Sequence, residues 1–88
     1  MSKYVVCAVR DVCGDIFGMP MFQQSVGMAQ RAFSDAVNRP DENNLLYKHP
    51  EHFELYELGT YDDVTGSFVL AERPKQLLLG SNCVVKPA

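Results

Sequence analysis

The sequence has no tryptophan and only two histidines and three cysteines in 88 residues. No CxxC pair occurs, and an odd number of cysteines fits reduced thiols better than a disulfide framework. No window approaches the ~18 consecutive apolar residues of a transmembrane helix. The apolar run near the N-terminus is too short for the core of a signal peptide. These absences predict a single domain, residues 1–88, that acts in a cytoplasm without membrane contact.

Basic residues are also scarce, since 8 Lys and Arg stand against 11 Asp and Glu and the net charge is −3. Phosphate contacts dominate nucleic-acid affinity, so this balance argues mildly against a nucleic-acid binder. The charges are unevenly distributed, however, and the sequence permits one mildly basic face and one acidic face. The first half carries Lys3, Arg10, Arg31 and Arg39, and the second half carries Glu51, Glu54, Glu57, Asp62 and Asp63.

The sequence also lacks the patterns of an enzyme. It has no P-loop and no GxGxxG, and nothing around its cysteines matches a nucleophile signature. His49 and His52 stand three apart, but a zinc site needs about four converging ligands. Pro50 lies between them and breaks a helix, so the two imidazoles need not share a face. We expect ordinary turn histidines, no catalytic residue, no metal site and no cofactor.

Two regular elements are well marked in the first half. Residues 4–10 are apolar on both alternating faces and rich in valine, which is typical of a central strand covered on both sides. Residues 25–39 predict a helix that Ser25 caps and Pro40 ends. Its apolar stripe should pack across the sheet. The stripe consists of Val26, Ala29, Phe33, Ala36 and Val37.

The second half predicts a β-hairpin. In residues 53–61 aromatics and leucines alternate with glutamates, which suits a strand with one solvated face. Residues 62–66 suit a five-residue loop in which Gly66 adopts a positive φ. Residues 67–72 form the return strand, and Pro74 ends it.

The remaining segments are less regular. Residues 16–22 contain Pro20 and predict a loop or a short edge strand. Residues 41–44 suit a polar surface loop, residues 75–80 one helical turn, and residues 81–88 a tail or a short edge strand. The whole predicts an α+β fold, a small and mainly antiparallel sheet with one principal helix packed on one face.

Two groups of side chains are candidates for contact with a partner. Tyr56 and Tyr61 suit a platform on which bases stack, at about 1–3 kcal/mol per base. The alternative is that they belong to the core, and the nearby glutamates would repel phosphate. The candidates for phosphate contacts are Lys3, Arg10, Arg31 and Arg39. The second group suits self-association if exposed, or else a loop packed over the core, and its members are Ile16, Phe17, Met19, Met21 and Phe22.

Several stretches resemble the small nonstructural protein of gokushoviruses, which are microviruses with circular single-stranded DNA. The likeness spans residues 4–80. It is carried by residues 4–11, by residues 17–22, by residues 31–38 and above all by residues 49–66. The last stretch is similar to the family's proline-acid turn, strand and Asp-x-x-Thr-Gly hairpin.

This resemblance implies a role in viral DNA replication. The proposed role of that family is the switch from duplex replication to single-strand synthesis and packaging, by analogy with protein C of the coliphage microviruses. The resemblance also implies a bacterial host cytoplasm and phage-encoded partners, and it brings no catalytic residues.

We therefore expect a non-enzymatic phage protein that binds single-stranded DNA or the replication complex, as a homo-oligomer whose linked copies gain avidity. The alternative is a protein–protein interaction module that binds capsid or host replication proteins without touching DNA. The acidic second half and the apolar residues 16–22 favour this alternative.

Overall fold

The computed structural model describes residues 3–85. Five strands form one sheet with the order β2-β1-β4-β5, and β3 also pairs with β1. All neighbouring strands are antiparallel. The elements are β1 (Lys3–Asp11), β2 (Ile16–Phe17), β3 (Met21–Gln23), α1 (Val26–Val37), α2 (Leu45–Lys48), β4 (Phe53–Asp62) and β5 (Ser67–Leu79), with 3₁₀ turns at Pro50–His52 and Gly80–Cys83. A mixed fold with a curled antiparallel sheet and one main helix is thereby confirmed.

Strand β1 is the central strand that its valines predict. It pairs with β4 along one edge and with β2 and β3 along the other. Its middle residues Val6, Cys7 and Ala8 are at most 3% exposed. Residues 16–22 form an interrupted edge strand, and Pro20 falls in the gap between β2 and β3, where no ladder hydrogen bond is required of it.

Helix α1 begins and ends close to the predicted positions. The Ser25 hydroxyl caps it by accepting a hydrogen bond from the Met28 backbone N–H at 3.1 Å. Its buried side chains join residues of β1 and β4 in one hydrophobic cluster, hereafter the core cluster. The core cluster consists of Cys7, Ala29, Phe33, Val37, Phe53, Leu55 and Cys83.

The loop after the helix is not wholly a surface loop. Asn44 is only 9% exposed. Its side-chain amide donates to the carbonyls of Ala36 at 2.8 Å and Arg39 at 3.0 Å. These two carbonyls lie at the end of α1, where a helix leaves its acceptors unpaired. Asn44 is therefore buried because its amide provides hydrogen bonds to the carbonyls at the end of the helix.

The β4–β5 hairpin has the predicted turn. The Gly66 N–H donates to the Asp62 carbonyl at 2.8 Å, and Gly66 has a φ of 71°. The Asp62 carboxylate accepts from the Val64 N–H at 2.9 Å. Side-chain bonding to the turn backbone is the reason that aspartate predicts turns.

The end of the hairpin differs from the prediction. Strand β5 does not stop at Pro74 but continues to Leu79, and the helical turn predicted for residues 75–80 is wrong. Residues 71–74 bulge out, since Leu70 pairs with Gly59 and Lys75 pairs with Glu57. Pro74 lies in this unpaired segment, so its missing N–H costs no ladder bond.

The chain after β5 forms a 3₁₀ turn, Gly80–Cys83, instead of an edge strand. Cys83 belongs to the core cluster. The Asn38 amide donates to the Cys83 carbonyl at 2.8 Å and so ties this turn to the end of α1. The rest of the predicted tail, residues 86–88, lies outside the described residues.

Candidate aromatic contact surface

Alternation along β1 gives the sheet two different sides. Val5, Cys7 and Val9 point toward the core cluster. The intervening Val6 and Ala8 therefore point to the opposite side, where Val6 pairs with Phe22 and Ala8 pairs with Tyr56. Both small residues are buried on that side.

Five aromatic rings from four strands meet on this second side, and we call them the aromatic surface. Phe17 and Tyr56 form one edge-to-face pair with ring centroids 5.4 Å apart. The other three form a cluster, in which Tyr61 lies 5.7 Å from Phe22 and 4.8 Å from Phe68. Phe22 and Phe68 complete the triangle at 6.2 Å.

These rings contact one another but remain open to solvent. Phe17, Phe22 and Phe68 are 37%, 50% and 52% exposed, and the two tyrosines are half-buried. The three-ring cluster also borders a shallow concavity of about 530 Å³, together with Tyr4, Asp63 and Gly66. Half-exposed rings can accept a further planar or apolar group on their free faces.

The charges around the aromatic surface are mostly negative. The Arg10 guanidinium lies 5.9 Å from the Phe17 ring centroid and forms an ion pair with Asp15. The Tyr56 hydroxyl donates to the Glu54 carboxylate at 2.7 Å and accepts from the Gln76 amide at 3.4 Å. Asp63 adds a carboxylate at the concavity. Arg10 is therefore balanced by Asp15 and accompanied by two further carboxylates.

The predicted DNA contacts are only partly brought together. Arg10, Tyr56 and Tyr61 lie on the aromatic surface, and Lys3 lies at the start of β1, opposite Asp62 in the register. Arg31 is exposed on α1, and Arg39 is exposed just after it. Because α1 packs into the core cluster, these last two arginines do not border the aromatic rings.

The predicted interface segment is divided between the two sides of the sheet. Phe17 and Phe22 join the aromatic surface, whereas Met21 pairs with Cys7 and lines a cavity beside α1. Met19 and Ile16 are 83% and 63% exposed. Successive side chains along a strand point to opposite sides of the sheet, so a run of consecutive apolar residues does not form a single patch.

Sequence reasoning missed that Phe17, Phe22 and Phe68 share a surface with the two tyrosines. The signal that joins them is the register, in which Phe22 lies opposite Val6 and Phe68 lies opposite Tyr61. Register depends on pairing between distant segments, so alternation within one strand did not reveal it.

The two buried cysteines lie in surroundings that disfavour the thiolate form. Burial raises the pKa of the Cys7 thiol, and the nearby Glu57 carboxylate raises that pKa further. Burial also raises the pKa of Cys83, although a hydrogen bond with Ser34 acts in the opposite direction. Burial therefore lowers the fraction of thiolate, the reactive form, at both cysteines.

The two histidines, in contrast, come together. The His49 and His52 rings stack with centroids 5.1 Å apart and 17° between their planes. Glu51 is grouped with them, and this cluster of potential metal ligands contains no cysteine from the described part of the chain.

Comparison with known proteins places the chain in a family. A model of the phage ORF5 protein family matches residues 4–83. The chain therefore belongs to the phage ORF5 protein family and is a phage protein. No curated protein and no solved structure matches it. Within residues 3–85, no helix is long and apolar enough to cross a membrane.

Proposed function

We propose that this phage protein is the small nonstructural protein of a gokushovirus and acts without catalysis in replication or packaging of its single-stranded DNA genome. It acts in the bacterial host cytoplasm and binds single-stranded DNA through the aromatic surface. The observation that supports this function is the set of five rings on one side of the sheet, three of them between 37% and 52% exposed. Bases stack on such rings without sequence preference.

The arrangement of the rings favours an extended strand as the ligand. The Phe17–Tyr56 pair and the Phe22–Tyr61–Phe68 cluster are two separate stacking positions. Tyr56 lies opposite Ala8 and Tyr61 lies opposite Tyr4. These partners are four residues apart on β1, so at a strand rise of about 3.3 Å per residue the two tyrosines are roughly 13 Å apart. Each stacked base contributes about 1–3 kcal/mol.

The electrostatics predict weak binding by one copy. Arg10 is already paired with Asp15, and the neighbouring Glu54 and Asp63 oppose phosphate. With one or two phosphate contacts, the slope of log K against log salt should be about −0.7 to −1.4 for single strands. Self-association of several copies would raise the affinity through avidity.

The test is fluorescence anisotropy with a labelled oligothymidine. The double variant Phe22→Leu, Phe68→Leu keeps apolar side chains but removes two exposed rings. It should weaken binding by about 1–3 kcal/mol for each base that no longer stacks. Val64→Leu at the hairpin tip, where Val64 is 65% exposed, is the matched control and should bind like the wild type. No binding at low salt, or equal loss in both variants, would remove the DNA function.

A second candidate function is a protein–protein interaction module for capsid or host replication proteins. The carboxylates of Glu54 and Asp63 beside the rings favour it. The apolar residues Val69 and Leu70 on β5, which are 70% and 67% exposed, favour it as well. A pull-down from infected cells, with and without nuclease, separates the two functions, because partners of this module survive nuclease treatment.

A further inference from the structure

The turn before β4 carries two imidazoles and a carboxylate within three residues of one another. His49 precedes Pro50 and has a φ of −137° and a ψ of 62°, which lie outside the α region that a following proline disfavours. Pro50 then starts the 3₁₀ turn Pro50–His52, which the His52 N–H closes by donating to the His49 carbonyl at 2.9 Å. The tight turn brings His49 and His52 back to the same side.

The donor atoms of this cluster are spaced almost as a metal ion requires. One Glu51 carboxylate oxygen lies 3.5 Å from His52 Nε2 and 3.9 Å from His49 Nδ1. All three donor atoms lie within 4.8 Å of one another. Zinc bonds of about 2.0–2.2 Å at tetrahedral angles place neighbouring donors roughly 3.3 Å apart. The two imidazole rings are stacked at 17°, so their in-plane lone pairs do not yet converge. Rotation of the exposed side chains out of this stack would bring the three donors around one ion.

The backbone of the turn is fixed, whereas its side chains are accessible. The Val12 N–H donates to the His52 carbonyl at 2.9 Å and ties the turn to the end of β1. Gly80 packs so closely that a Cβ there would lie 2.1 Å from the Pro50 carbonyl oxygen. The side chains of His49, Glu51 and His52 are 48%, 58% and 36% exposed. An ion can reach them, and water can complete its coordination.

We propose that His49, Glu51 and His52 form a surface site for a divalent transition-metal ion, with zinc as the best fit. Two imidazole nitrogens and a carboxylate oxygen are ordinary zinc donors, and three protein ligands leave a fourth position for water. One carboxylate charge offsets part of the charge of the ion. The site uses no residue of the aromatic surface, so it is independent of the proposed DNA binding.

The experiment is titration of zinc chloride into the untagged, reduced protein in a mildly alkaline, non-coordinating buffer. The exposed Cys13 thiol is a competing ligand, so all proteins carry Cys13→Ser. Calorimetry should give one ion per chain. Because the chain has two histidines, each imidazole gives its own NMR signal, and both signals should shift together and saturate at one equivalent.

Substitutions then assign the ligands. His49→Gln and His52→Gln should each weaken zinc binding at least about tenfold, because even residues that only support a ligand contribute that much. Glu42→Gln removes an exposed carboxylate elsewhere and should leave the affinity unchanged. Circular dichroism checks that each variant folds. Absence of zinc binding, a shift of only one imidazole signal, or full affinity in either histidine variant would overturn the proposal.

Discussion

Single residues fix how closely β4 and β5 approach, and Gly59 is the clearest case. Gly59 has a φ of 155°, and a Cβ there would lie 2.3 Å from the Val69 carbonyl oxygen. Neither the conformation nor the contact suits a side chain, and the obstructing atom is backbone. We expect Gly59→Ala to lower the free energy of unfolding by about 1–3 kcal/mol, measured by urea denaturation.

Gly27 is the matched control for that substitution. It lies in α1, and a Cβ there would have the Ser25 hydroxyl oxygen as its nearest neighbour at 3.9 Å, an ordinary contact. Alanine has the higher helix propensity, so Gly27→Ala should be neutral or raise stability by up to about 1 kcal/mol. Equal destabilisation by both substitutions would contradict the close approach at Gly59.

A buried amide closes the end of α1. Asn44→Ala removes the amide that donates to the carbonyls of Ala36 and Arg39, and it leaves Ala36 with a long hydrogen bond from the Arg39 backbone N–H at 3.4 Å. The expected loss is about 1–3 kcal/mol in the same denaturation assay. Its neighbour Asn43 is exposed, and Asn43→Ala should cost less than about 0.5 kcal/mol. Similar losses for the two asparagines would contradict the structural role of Asn44.

The three cysteines should differ in reactivity. Thiolate is the reactive form, and burial raises the pKa values of Cys7 and Cys83 and so lowers their thiolate fraction at any given pH. Cys13 is exposed. Alkylation of the native protein followed by peptide mass analysis should label Cys13 first and the other two only after unfolding. Rapid labelling of all three would show that the core cluster is open.

At the level of elements, sequence patterns correctly predicted the strand, the helix and the turn that depend on interactions between nearby residues. Strand β1, helix α1 and the turn at residues 62–66 follow from valine content, an apolar stripe with a Ser25 cap, and turn chemistry. The course of β5 beyond Pro74 did not follow, because the bulge of residues 71–74 depends on pairing with β4. For the same reason Phe17, Phe22 and Phe68 were not assigned to the surface that contains Tyr56 and Tyr61.

The outer edge of β5 is where we expect copies of the protein to associate. Within residues 3–85 no strand pairs with this edge, and Phe68, Val69 and Leu70 are each more than half exposed. Unprotected apolar edges pair readily, and a lysine on the edge opposes pairing. Val69→Lys should therefore shift the mass in sedimentation equilibrium toward the monomer.

Val64→Lys at the hairpin tip introduces the same charge outside the strand and serves as the control. Its mass distribution should match that of the wild type. A wild-type protein that stays monomeric at high concentration, or an equal effect of the two lysines, would argue against association through β5.

The whole molecule is elongated, with extents of 45 × 27 × 20 Å. The arginines Arg31 and Arg39 lie at α1, away from the aromatic surface, and Arg10 beside the rings is paired with Asp15. The proposed binding of single-stranded DNA would therefore depend mainly on stacking, and the proposed oligomerisation would supply further affinity. Binding by stacking would distinguish the aromatic surface from a basic groove, which binds mainly through phosphate contacts.

NMR titration of the isotope-labelled protein with oligothymidine tests this claim most directly. We predict that the ring signals of Phe22, Tyr56 and Tyr61 shift with added DNA, while the backbone signals around Arg31 and Arg39 stay in place. Shifts confined to the region of α1, or no shift of the aromatic rings at saturating DNA, would contradict stacking on the aromatic surface.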